Sequence, residues 1–252
     1  MDNKSFVIQA TTELLENRDP TAIDRYWSAD YIQHSPVVGG GVEGLRSRVA
    51  RLGPDFRYER VRAIAEGDLV ALHGRYHGLS DRPMVAVNMW RVADGRLAEH
   101  WEAMQPEVGP TPSGHTMLDG PTEPTDLDRT DVNKALMEQV GTDFVAGRFD
   151  RLPAYYGDVY VQHNPMIADG FTSVVEKFNE LAEQGLALRI TKLHRAVAEG
   201  DFVLFQAEGT FGDKPHVFYD IFRVADGKVA EHWDVMAELP DVSTVPHDNG
   251  LF

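Results

Sequence analysis

The chain repeats itself on the scale of a whole domain, and this limits its fold more than any other feature. Tyr31-Ile32-Gln33-His34-Ser35-Pro36 returns as Tyr160-Val161-Gln162-His163-Asn164-Pro165. Ala65-Glu66-Gly67-Asp68 returns as Ala198-Glu199-Gly200-Asp201, and Asn3-Lys4 as Asn133-Lys134. RVADGRLAEHW at 91–101 returns as RVADGKVAEHW at 223–233. The offsets of 129, 133, 132 and 130 residues keep the order and drift only by loop-sized amounts. Solenoid repeats run ~20–50 residues, so this spacing belongs to two copies of one domain.

The joint between the copies is legible. Residues 106–131 carry five prolines, three glycines and few apolar side chains, the composition of a linker or extended arm. The expected division is a domain over 1–108, an arm over 109–130, a second domain over 131–240 and a tail over 241–252.

Composition removes several classes of function. The formal charge of −16 argues against nucleic acid and anionic membrane as partners, because phosphate binding needs clustered Lys and Arg. The absence of cysteine removes disulfides, thiolate catalysis and cysteine-bound zinc. The N-terminus carries acids early and no continuous apolar run, unlike a signal peptide. These features together lead us to expect a soluble cytoplasmic protein.

Each copy reads as helices followed by strands, hence α+β. In the first, apolar residues recur at helical spacing over 2–16. Asp19-Pro20 opens a short helix, and 44–52 forms a third. Strands are expected at 58–66, 68–76, 85–92 and 96–104, the last pair joined by Ala-Asp-Gly, a hairpin signal. The second copy predicts helices at 131–146, 149–157 and 172–184. Its strands fall near 187–198, 201–211, 216–224 and 228–237.

The YxQHxP and AEGD motifs and the FRVADGKVAEHWD run together resemble the SnoaL-like polyketide cyclase family, within the nuclear transport factor 2/ketosteroid isomerase superfamily. The match is nearest to the SnoaL-like aldol-condensation group and covers both copies. The ending His247-Asp248-Asn249-Gly250-Leu251-Phe252 looks like the family's tail, with Ser113–Leu118 as its worn copy. The resemblance implies two cone-shaped α+β barrels, each a curved antiparallel sheet wrapped on three helices around an apolar pocket. It also implies that the copies form a pseudo-dimer within the chain.

Strand alternation nominates the chemistry. Phe218, Asp220 and Phe222 share one face of their strand; His232, Asp234 and Met236 share one face of the next. A carboxyl among aromatics resists ionisation and can exchange a proton near neutral pH, with an imidazole as partner. In the superfamily's isomerases the position matching Asp220 carries an acid that hydrogen-bonds a developing oxyanion. Catalytic roles are therefore expected for Asp220, His163, His232 and Asp234, with His163 at a corner that faces the cavity in relatives. Phe218, Phe222, Met236 and Trp233 are the expected substrate contacts. In the first copy Asn88 stands at the Asp220 position and Glu102 at that of Asp234, while His34 and His100 are kept. This pocket reads as binding substrate without titrating it.

No cofactor and no metal are expected. A two-His, one-carboxylate set of His163, His232 and Asp220 or Asp234 is the alternative. The expected function is acid/base chemistry on a small apolar carbonyl compound: aldol-type cyclisation, isomerisation or dehydration. A non-catalytic binder and an epoxide hydrolase are the rivals. The hydrolase is disfavoured because Arg223 should point away from Asp220.

Overall fold

The computed structural model describes all 252 residues and divides into two compact units. One comprises Met1–Pro106 with Pro240–Phe252, and the other Glu107–Leu239. The arm thus belongs to the second unit, and the tail that follows the second copy belongs to the first.

In the first unit, helix α1 (Asn3–Thr11) runs on through one wide turn, Thr12–Glu16. Asp2 caps it, its carboxylate accepting from Ser5 N at 2.8 Å. Helix α2 (Ala22–Tyr26) leads into strand β1 (Trp27–Gln33), and α3 (Gly41–Ala50) precedes β2 (Arg57–Glu66), β3 (Leu69–His77), β4 (Met84–Ala93) and β5 (Arg96–Pro106). Asp19 lies ahead of α2 and tightens its entry, accepting from Thr21 N at 2.9 Å.

The second unit repeats this order. It holds α4 (Thr130–Val145), β6 (Tyr156–Gln162), α5 (Phe171–Glu183), β7 (Leu188–Glu199), β8 (Phe202–Phe211), β9 (Lys214–Ala225) and β10 (Lys228–Glu238). The helix expected at 149–157 is only a 3-10 turn, Leu152–Tyr155. Pro153 sits in it, and the chain turns extended at Tyr156 to begin β6.

Each unit has one five-stranded sheet, in orders β1-β5-β4-β3-β2 and β6-β10-β9-β8-β7. The sheets are mixed, which corrects the expected antiparallel meander. The first strand of each copy joins the edge beside the last strand, and β1 pairs β5 parallel as β6 pairs β10. The other neighbours are antiparallel hairpin partners. Asp94-Gly95 and Asp226-Gly227 take positive φ in both strand-four turns, as a tight two-residue hairpin requires.

Helices cover one face of each sheet. Val7, Ala10, Leu14, Ile23 and Leu72 are buried in the first core; Met137, Val140, Leu152, Val203 and Val229 are buried in the second. No helix is long and apolar enough to cross a membrane.

Candidate active site

A cavity of about 110 Å3 opens in the second unit between α4, α5 and the helix-covered face of the sheet. Its wall is mostly aromatic and aliphatic, including Phe144, Tyr156, Tyr160, Phe178 and Phe205. Five polar side chains enter it: Gln162, Asn164, Asp220, His232 and Asp234.

The β9–β10 register brings the polar groups together. His232 pairs with Phe222, Asp234 with Asp220 and Met236 with Phe218, so alternate residues of both strands share one face. His232 Nε2 lies 3.1 Å from Asp220 Oδ1, and the imidazole stacks on Phe222 at 4.6 Å between ring centres.

The tautomer of His232 follows from its other side. Asn164 N donates to Gln162 Oε1 at 3.1 Å, which identifies that atom as the amide oxygen. His232 Nδ1, 2.8 Å from the same oxygen, therefore carries a hydrogen. One further proton can sit on the Nε2···Oδ1 axis, on imidazole or on carboxyl.

Asp234 is the second acid. Burial pushes its carboxyl up to about 6, and the nearby Asp220 adds to this while His232 opposes it. Asn164 Nδ2 donates to Asp234 Oδ2 at 2.7 Å. That amide is oriented in turn by Met166 N, which donates to Asn164 Oδ1 at 2.7 Å.

The first unit has the matching cavity, about 70 Å3, lined in part by Gln33, Asn88, Trp90, His100 and Glu102. His100 Nδ1 lies 3.0 Å from Gln33 Oε1, and Nε2 lies 3.1 Å from the Asn88 amide. Burial holds His100 down at about 3, so the imidazole is neutral. Asn88 cannot exchange a proton with it. Ser35 N donates to Gln33 Oε1, so His100 Nδ1 carries the imidazole's one hydrogen, and its bare Nε2 accepts from the Asn88 NH2. Burial raises the Glu102 carboxyl, which accepts from the Ser35 hydroxyl.

The structure separates the expected residues into two groups. Asp220, His232, Asp234, Phe218 and Phe222 line the second cavity; Asn88, His100 and Glu102 line the first. His163, His34, Trp233 and Met236 line neither. The expectation that His163 faces the cavity is corrected. His163 is buried behind the sheet edge, its Nε2 2.9 Å from Glu231 Oε1 and its Nδ1 2.8 Å from Thr116 O of the arm. It stacks on Trp233, which sits on the opposite strand face from His232 and donates from Nε1 to Asp119 O at 2.9 Å. His34 repeats the arrangement with Glu99, Gly250 O and Trp101. Arg223 pairs with Glu231 at 2.8 Å, away from the cavity.

Gln162 and Asn164 were missed as site residues. The signal was present in YxQHxP: Tyr160 and Gln162, two apart on a strand, share one face, and Gln162 stands one residue before the histidine that drew attention.

A mixed sheet covered by helices, with an apolar cavity over a convergent acid/imidazole set, defines an α+β pocket fold. The SnoaL-like domain model matches this chain twice, over residues 8–100 and 138–232, and the chain belongs to the SnoaL-like domain family. Among solved structures it is similar to wild-type IdmH from Streptomyces antibioticus, described as a candidate polyketide cyclase. Identity is 23%, TM-score 0.36, and the match covers 42% of this chain and 93% of that one. TsrD from Streptomyces laurentii is 21% identical with TM-score 0.36, covering 42% and 91%. A candidate ketosteroid isomerase from Kribbella flavida is 19% identical with TM-score 0.38, covering 45% and 83%. No curated protein matches the chain.

Proposed function

We propose that the second unit catalyses proton transfer next to the carbonyl of a small, largely apolar substrate, as in aldol-type cyclisation, isomerisation or dehydration. The observation that carries this reading is the Asp220–His232 pair, 3.1 Å apart in an aromatic cavity with the imidazole's far nitrogen fixed by Gln162. Asp220 takes the proton from the α-carbon, and His232 accepts or returns it along their shared axis. Asp234, a carboxyl that keeps its proton up to about 6, donates a hydrogen bond to the oxygen that becomes an enolate. No step in this scheme calls on a cofactor.

The first unit, in this reading, binds without turnover. Asn88 replaces the titrating carboxyl and lines the cavity with a neutral amide. This is also where a binding-only reading of the whole protein finds its support. Incubation with a hydrophobic ketone such as 2-tetralone in D2O, followed by NMR, separates the two. Catalysed exchange of the α-protons supports the enzyme; saturable binding with exchange at the buffer rate supports the binder.

A further inference from the structure

Outside both cavities, on the face of the second unit where the arm docks, three side chains converge. His163 Nδ1 lies 2.8 Å from Asp119 Oδ1, and His115 Nδ1 lies 3.5 Å from Asp119 Oδ2. Ligand atoms of His115, Asp119 and His163 all fall within 4.8 Å of one another. Ligands ~2.0–2.1 Å from a tetrahedral zinc ion stand about 3.3 Å apart, so His163 and Asp119 part slightly and any wider pair, within 4.8 Å, closes on the ion.

The surroundings suit a metal better than a simple ion-pair cluster. Both imidazoles turn Nδ1 toward Asp119 and Nε2 toward a second carboxylate. His163 Nε2 meets Glu231 at 2.9 Å, and Glu231 is itself held by Arg223 at 2.8 Å. His115 Nε2 is directed at Asp169 Oδ2, 3.8 Å away. The Glu231 carboxylate behind His163 fixes that imidazole's tautomer and raises its basicity, the usual support of a histidine–metal bond, while Asp169 stands behind His115 beyond hydrogen-bond reach. His163 is buried, while His115, Asp119 and Asp169 are partly exposed, so an ion has a path in and room for water.

The arm is already in place to present these groups. Ser113 Oγ donates to Gln162 O at 2.6 Å, Trp233 Nε1 donates to Asp119 O, and Met117 and Leu118 are buried. Gly120, at φ +89, lets the chain pass Glu231, where a Cβ would stand 2.6 Å from the carboxylate.

The first unit serves as an internal control. His34 Nδ1 meets Gly250 O as His163 Nδ1 meets Thr116 O, which aligns Asn249 with His115. Counting from Pro36 and Pro165 likewise aligns Gly40 with Asp169. The histidine at the corner is kept there without the imidazole and carboxylate that complete the cluster.

We propose that His115, Asp119 and His163 form a site for one divalent transition-metal ion of zinc type, which fastens the arm to the second unit. Binding displaces the Nδ1 proton of His163 to solvent and exchanges its contact with Thr116 O for the metal.

The test uses the full chain, stripped with EDTA and titrated with Zn2+ by calorimetry and with Co2+ by visible absorption. The expected result is one equivalent bound, a tetrahedral Co2+ spectrum, and at least tenfold weaker binding in both His115→Ala and Asp119→Ala, whose partly exposed side chains leave the fold intact. No stoichiometric binding, or binding of unchanged affinity in both variants, overturns the proposal.

Discussion

Gln162 and His232 are joined by a 2.8 Å hydrogen bond between neighbouring parallel strands, and the same contact recurs at 3.0 Å between Gln33 and His100. The glutamine fixes one imidazole nitrogen so that the other faces the position occupied by Asp220 in one unit and Asn88 in the other. The two units thus share a scaffold and differ, at this position, in whether the group facing the imidazole can titrate.

Gln162→Leu removes this acceptor. His232 Nδ1 and Asn164 N both lose a buried partner, at a cost of about 1–3 kcal/mol for each unsatisfied group. A lowered Tm is expected, together with at least a tenfold slower ketone α-proton exchange because the imidazole is free to turn.

Asp234 gives stability a pH dependence of unusual sign. Its carboxyl stands at about 6 in the fold against 3.8 for a free side chain, so the native state binds the proton more tightly than the unfolded chain. Its contribution is best below pH 4 and is lost as pH rises to about 6. Asp234→Asn, which cannot ionise, should gain stability relative to wild type across that window and hold the gain above it. Denaturant melts from pH 4 to 8 measure the difference; a gain that shrinks with rising pH contradicts the account.

The same group sets the alkaline limb of catalysis. Exchange by the wild-type protein should fall as pH rises through about 6, where Asp234 loses the proton it donates. Asp234→Asn keeps a donor and should flatten that limb while lowering the maximum, as seen in a kcat–pH profile.

Asn88→Asp installs in the first unit the carboxyl that the second possesses. The neighbouring imidazole of His100, now held down at about 3, should rise by two pH units or more as it gains an anionic partner. An NMR titration of the His100 ring protons reads this directly.

Much of this was legible in the sequence because repetition and alternation are strong signals. Two copies, their strands, and the common face of Asp220, His232 and Asp234 follow from offsets and a period of two. The parallel pairing of β1 with β5 and of β6 with β10 was not, since no local pattern distinguishes the two edges where a lone strand can join. His163 was misassigned for a related reason. Glu231, His232 and Trp233 are consecutive on β10, so two of the three must face away from the cavity, and His163 follows them outward to pair with Glu231 and Trp233. Nor does sequence show that the Pro-rich arm folds onto this histidine, because Met117 and Leu118 are too short an apolar run to announce a packed segment.

The central claim is that the proton moves on the Asp220–His232 axis of the second unit. It is tested most directly by ketone α-proton exchange in D2O with Asp220→Asn and Asn88→Ala side by side. The account predicts at least a hundredfold loss in Asp220→Asn with an unchanged melting curve, and a rate near wild type in Asn88→Ala. Exchange that survives Asp220→Asn and disappears in Asn88→Ala would contradict it.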